Sequence, residues 1–316
     1  MGLKLSALVI AALVLAGCSG GGQPRPRCAP ITGTPWSTSP PSAGCRVGID
    51  LSYPGSHLEK VEDIAALLPD SITRRGRLRI SSEIGGAPAA FQIMEQAAPV
   101  GYEIDLANAL GRVLGVEIEI VPTAPEDMLN AVGRSSDVGI SSLPITPARQ
   151  REANLLTYIT VGASFGSRAS KHRQFDPDRL CGRRVGVPAA SWYFDDATAK
   201  AAQCASTSQE ALTVIPYRTT PDLLAAVLRE EVDLSYADSS VTQYGVLLTS
   251  GAIAPVGSPR GVTPRAIVVS RDDPGLTQAI QRALQHLMDS EEWRIMATSW
   301  GVEGSIVTKA EVNPFR

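Results

Sequence analysis

Two charged residues beside strand-like segments offer this chain its clearest chemistry. In "SSLPITPARQREANLL", Thr146 followed by Pro147 marks a helix start, with Thr as N-cap and Pro at the first helical position. Arg149 then falls in the first turn, where a cation opposes the helix dipole by roughly 0.3–1 kcal/mol. The placement makes sense when an anion sits at that helix end, held by guanidinium and backbone N–H groups together. In "VDLSYADSSVTQYG", Asp238 stands just past a strand and before a helix. As a helix N-cap alone it needs no further reason. Facing each other across a cleft, Arg149 and Asp238 would supply one cation and one anion. That pair is what gripping an α-amino acid by carboxylate and ammonium requires.

Another motif spells a different chemistry. "GASFG", residues 162–166, matches the G-x-S-x-G nucleophile elbow. The elbow needs a strand, a tight turn and a helix, with Asp and His following in order. Here the polar "SRASKHRQFDPDRL" follows, and the later His172 and His286 have no supporting setting. Ser164 is therefore not read as a nucleophile, and the small residues suit a hinge between two halves. His57, His172 and His286 lie far apart with no ligand spacing, so neither a metal nor another cofactor is expected.

The elements that must position these residues repeat along the chain. "RLRIS", "VEIEIVP" and "DVGISS" read as strands, separated by helical "GYEIDLANALGRVLG" and "PEDMLNAVGRSS". "RRVGVP", "ALTVIPY" and "VDLSYA" repeat the order around helical "SWYFDDATAKAAQ" and "TPDLLAAVLREE". Asp137 and Asp233 open the third strand of each set. "EKVEDIAALLPDSITRRG" predicts a further helix ending before Gly76. Strands alternating with helices indicate parallel sheets with crossover helices, here twice over. The expected fold is thus α/β, as two similar lobes, with one continuous sheet as the alternative. Ligands of open parallel sheets bind beyond the C-terminal strand ends, so two facing lobes would enclose a cleft that closes by hinge motion.

The N-terminus says where the protein works. Lys4 precedes "LSALVIAALVLAG", an apolar run too short for a comfortable membrane span. It ends in Leu15-Ala16-Gly17-Cys18, which resembles a bacterial lipobox, with Cys18 as the lipidated residue and residues 1–17 as a cleaved leader. Residues 18–45, rich in Gly, Pro and Ser, read as a tether between lipid and fold. The four remaining cysteines allow three pairings in an oxidising compartment. Neighbours in sequence give Cys28–Cys45 and Cys181–Cys204. The 316 residues allow about two domains. A net charge of −3 leaves no basic footprint for nucleic acid.

"GYEIDLANALGRVL" resembles the signature of bacterial solute-binding proteins of family 3, the polar-amino-acid binding components of ABC importers. "DVGISSLPITPARQREANLL", "LCGRRVGVPAAS" and "SEEWRIMATSWG" resemble later blocks of the same family. The resemblance covers about residues 75–302. It implies a type II periplasmic-binding-protein-like clamp, a monomer crossed twice by its chain. Lobe 1 would comprise residues 46–159 and 263–316, and lobe 2 residues 160–262. It places the carboxylate-binding arginine at Arg149 and the ammonium-binding aspartate at Asp238. Glu83, Ser141, Ser142, Ser191 and Trp192 fall at further ligand positions. Glu103 and Asp105 fall at the entrance of the first long helix, as scaffold rather than ligand contacts.

Two departures stand out. Pro144 replaces a residue that gives N–H and hydroxyl to the carboxylate, and proline gives neither. Gly86 and Pro125 fall where pocket aromatics are usual, leaving Trp192, Tyr193 or Phe194 to compensate. The implied function is capture of a small polar solute and its delivery to an ABC permease in the membrane, with no reaction catalysed. A lipoprotein sensor of the same fold, or a dehydratase with Glu83 as its acid, are the alternatives.

Overall fold

The computed structural model describes residues 53, 55–94, 97–207 and 209–315. Cys18, the leader, the tether and the Cys28–Cys45 pairing lie outside these residues.

Every segment read as a strand forms one. The first three are β1 (Arg77–Ser82), β2 (Glu117–Pro122) and β3 (Val138–Pro144). Next come β4 (Ala153–Arg168), β5 (Arg184–Pro188), β6 (Thr213–Tyr217), β7 (Leu234–Asp238) and β8 (Ile253–Ser270). The helices begin with α1 (Glu62–Ala65), α2 (Asp70–Arg75), α3 (Tyr102–Leu114), α4 (Met128–Ala131) and α5 (Pro147–Glu152). They continue with α6 (Trp192–Ser206), α7 (Thr220–Leu228), α8 (Ser239–Leu248), α9 (Pro274–Asp289) and α10 (Glu292–Ser299).

The strands lie in the order β2-β1-β3-β8-β4-β7-β5-β6. The two predicted repeats become mirror-ordered parallel triplets, β2-β1-β3 and β6-β5-β7. What joins them is an antiparallel pair, β4 with β8, each long enough to serve both halves. The hydrogen-bonded ladder is therefore continuous, and the repeat sits within it rather than in two separate sheets. "GASFG" lies inside β4, paired with β7 and β8, so it is strand and neither elbow nor loop. Ser164 is buried there.

The repeat also has a chemical signature. Asp137 Oδ2 accepts from the Arg79 N–H at 2.8 Å, and its Oδ1 from Arg79 Nη2 at 2.9 Å. Asp233 does the same for Arg184, at 2.9 Å and 2.7 Å. Each aspartate clasps the third strand of its triplet to the first.

Proline and glycine trim the predicted helices. The helix expected over residues 59–75 is split into α1 and α2 at Pro69, whose ring and missing N–H cannot continue a helix. The one expected over residues 125–136 shrinks to a 3-10 turn plus α4, followed by Gly133 at φ +83°. In contrast α3 forms as read and buries its stripe of Leu106, Leu110, Val113 and Leu114. Its entrance demands glycine: Gly101 has φ +137°, and a Cβ there would stand 2.1 Å from the Ala89 carbonyl oxygen. The second half has a smaller core around Val185, Val187, Leu234 and Tyr236. The Cys181–Cys204 disulfide, expected from pairing neighbours in sequence, is present beside it.

Candidate functional site

The carboxyl ends of β1, β3, β5, β6 and β7 open onto a cavity of about 360 Å³ between the two triplets. This is where the strand-end rule puts a ligand. A wider groove of about 820 Å³ runs beside α3, past Lys60 and Glu117. It lies at the amino ends of β1 and β2, next to Gly76, and gathers no comparable set of strand-end groups.

Five predicted residues line the cavity: Glu83, Ser141, Ser142, Ser191 and Asp238. A bulge in β3 shapes its floor. The register slips between Ile140 and Leu143, and Ser142 takes φ +45°, a left-handed conformation that non-glycine residues rarely hold. Ser141 Oγ accepts from the Glu83 N–H at 3.3 Å. Ser191 caps α6, accepting from the Phe194 N–H and donating to the Pro188 carbonyl at 2.6 Å. Asp238 occupies the N-cap position of α8 but makes no side-chain cap bond. Its Oδ1 instead accepts from the Tyr193 hydroxyl at 2.5 Å and lies 3.6 Å from Arg265 Nη2.

Arg149 and Trp192 are not brought to the cavity. Thr146 caps α5 and Pro147 begins it, as read, with the Arg149 N–H donating to Thr146 Oγ1. The guanidinium, however, donates to the Pro144 carbonyl at 2.8 Å. Of the two charges expected to face a zwitterion across the cleft, Asp238 lines the cavity and Arg149 does not, and Asp238 lies instead beside Arg265. Trp192 is 61% exposed, its ring edge-on to Tyr193. The aromatic walls come from Tyr193 and Tyr217, while Phe194 packs against the second core.

Glu103 is tied into the fold by partners other than the helix-entrance N–H groups expected for it. The amides at the start of α3 donate to the Pro88 and Ala89 carbonyls, so they do not need its carboxylate. Glu103 Oε1 accepts from Tyr158 Oη at 2.5 Å and Ser142 Oγ at 2.6 Å, and the residue reaches the cavity. Asp105 does act as scaffold, accepting from the Trp300 indole at 2.7 Å and the Tyr53 N–H at 2.9 Å.

Burial is the main force raising the Glu103 carboxyl above its usual range, against the two hydroxyls that favour the charged form, with the Glu83 charge adding to the rise. Glu83 itself is raised, first by partial desolvation and then by Glu126 and Asp238. A folded value above the unfolded one means the native state holds the proton more tightly. The stability it contributes is full below pH about 4.5 and disappears as pH rises through the folded value. Glu103→Gln keeps an acceptor for both hydroxyls and removes the titration. Wild type should lose stability relative to this variant as pH rises above about 4.5, read from paired thermal melts. A difference independent of pH would show that the carboxyl is not held protonated.

Across the cavity mouth, Thr220 Oγ1 donates to the Ala87 carbonyl at 2.9 Å, tying one half to the other. Among the described residues no group of His, Cys, Asp and Glu is arranged to hold a metal. No helix among them is long and apolar enough to cross a membrane.

Comparison with known proteins places this geometry. A curated relative, the arginine-binding protein ArgT of Corynebacterium glutamicum, is 24% identical over 257 residues, covering 81% of this chain and 84% of that protein. The solved structure of an ancestral cationic amino acid solute-binding protein superposes with a TM-score of 0.60 at 21% identity, covering 75% of this chain and 99% of that one. A polar amino acid ABC uptake transporter substrate-binding protein from Streptococcus thermophilus gives the same TM-score at 16% identity, covering 75% and 90%. These structures establish a shared mixed α/β fold. The sequence profile of the bacterial extracellular solute-binding proteins, family 3, matches residues 78–303, from the second residue of β1 to the turn that follows α10. With that match spanning both triplets and the cavity between them, the chain belongs to the bacterial extracellular solute-binding proteins of family 3.

Proposed function

We propose that this protein is an extracytoplasmic, lipid-anchored receptor that captures an amino-acid-like solute in the cleft and delivers it to an ABC importer. It carries out no reaction and uses no cofactor. The lipobox at Cys18 would supply the anchor. Residues 46–159 with 263–316, and residues 160–262, would move as two lobes about the β4–β8 crossings. Asp238 would take the solute's ammonium, with Ser141, Ser142, Ser191 and Glu83 around it.

The observation that carries this reading is the convergence of polar groups from both triplets on one cavity at the strand ends. A cavity of about 360 Å³ is within the range of small-molecule sites. The named activity of the Corynebacterium relative agrees with an amino-acid ligand.

A thermal-shift panel on residues 46–316 tests it, using the standard amino acids, L-ornithine, L-cystine, putrescine and citrate. A solute at 100 times its Kd should add about 2.7 kcal/mol to stability and raise the melting temperature. No shift with any amino acid would overturn the reading.

A further inference from the structure

Three carboxylates line the cavity, Glu83, Glu103 and Asp238, against one cation among the described lining residues, Arg218. Arg218 is exposed and also borders the outer groove beside Phe91 and Ile93, so it stands at the mouth. Asp238 has Arg265 beside it at 3.6 Å. The charges that act on the other two are acidic: Glu126 and Asp238 on Glu83, and Glu83 on Glu103. Carboxylates crowded around one cavity do not all ionise, so a proton is retained until a cation arrives.

Glu103 is the most deeply set of the three. It is 2% exposed, in the first turn of α3, and accepts from the hydroxyls of Ser142 and Tyr158. The titratable groups that face it are Tyr158 on β4, Tyr102 on its own helix and Glu83 beyond β1, none of them a cation. Burial is the main force that keeps its proton on. A carboxyl accepts hydrogen bonds in either protonation state, so both hydroxyls can stay in place when the proton leaves.

We propose that Glu103 is the counter-charge for a cationic side chain of the solute, and that such a solute enters the cleft by expelling one proton from it. The proton passes to solvent, the carboxylate stays on its two hydroxyls, and the solute's positive charge balances it across the cavity floor. Direct contact is not required, because charges several ångströms apart interact strongly where water is excluded. The preferred solute then has two cationic centres: an ammonium for Asp238 and a second at the far end of its side chain. A neutral side chain leaves the proton where it is. This rests on the cleft being the solute site.

Titration calorimetry with L-arginine and L-citrulline tests it, since the two match in shape and differ in side-chain charge. Run in phosphate and in MES, whose heats of ionisation differ, it counts the protons released. Wild type should bind arginine about tenfold or more tightly than citrulline. Arginine should release close to one proton wherever the empty protein's carboxyl is protonated, and its affinity should rise there by about tenfold per pH unit. Citrulline should release none. Glu103→Gln keeps an acceptor for both hydroxyls. It should narrow the gap between the two solutes to within about threefold and abolish the proton release.

A wild type that binds the two solutes alike, or that takes up arginine without releasing a proton, overturns the proposal whether or not the variant folds. So does a release that persists in Glu103→Gln, or one that is lost in Glu83→Gln alone. Failure of arginine to bind where another amino acid does has the same consequence. In all these cases amino-acid binding in the cleft stands. If no amino acid binds wild type, the cleft reading falls as well.

Discussion

Asp238→Asn should weaken amino-acid binding by about a hundredfold while leaving the unliganded fold intact. The substitution keeps the size of the side chain and an oxygen for the Tyr193 hydroxyl, which now donates at 2.5 Å. It removes the negative charge that faces Arg265 at 3.6 Å and that an entering ammonium would meet. Truncating one partner of a desolvated charge pair costs about 2–5 kcal/mol, and each 1.4 kcal/mol is tenfold in affinity. Stability should change little, because the carboxylate makes no cap bond to α8 and asparagine is itself a favoured N-cap. The amine left when that amino acid's carboxylate is removed should weaken as much, since both carry the ammonium. Calorimetry of the folded variant decides it, and an affinity within threefold of wild type would remove Asp238 from the site.

Asp238 is legible from its place just past a strand, whereas Ser141, Ser142, Ser191 and Glu83 come from the family resemblance, and the cavity unites all five. All five lie in or just after the carboxyl-terminal part of a strand, and strand ends in such folds meet at one place. Arg149 was legible as a position and not as a direction. Its helix start, its cap and its first-turn placement all hold. The side chain's direction goes with a carbonyl five residues back, at the end of a strand bent by the Ser142 bulge. Nothing in "SSLPITPAR" encodes that bulge.

Arg265, which stands 3.6 Å from Asp238, has no local marker at all. "RGVTPRAIVVS" has no motif, cap or helix end to mark it. The available signal was an arginine against an apolar run, which calls for a partner once the strand is buried. Finding that partner requires knowing that β8 runs beside β4 and close to Asp238, a contact between distant parts of the chain.

The same limit governs the sheet. Local alternation predicts two sets of three strands and their parallel order. The continuous ladder depends on β4 and β8 pairing across about a hundred residues, through several register shifts. Glu103 illustrates it at single-residue scale. A helix entrance accounts for an acid at that position, but its hydroxyl partners lie on β3 and β4, 39 and 55 residues away.

Trp293→Ala should lower stability by about 3–5 kcal/mol, the range for removing a buried large aromatic. At this chain length that corresponds to a fall of roughly 10 °C in melting temperature. Trp293, on α10, is 1% exposed and packs at an angle against the rings of Tyr102 and Tyr158, with centroids 6.4 Å and 6.0 Å away. Its indole N–H donates to the Tyr158 carbonyl at 2.9 Å. The alanine variant leaves both a cavity and a buried carbonyl without that donor. Its effect should also reach the cleft, because the Tyr158 hydroxyl accepts from the Ser142 N–H and donates to Glu103. Trp192→Ala provides the contrast: with 61% of that residue exposed, the change in stability should stay within about 0.5 kcal/mol. Thermal melts of the two variants, followed by calorimetry with the tightest amino acid, separate the roles. A Trp293→Ala protein melting within about 2 °C of wild type would mean that α10 does not brace the floor of the site.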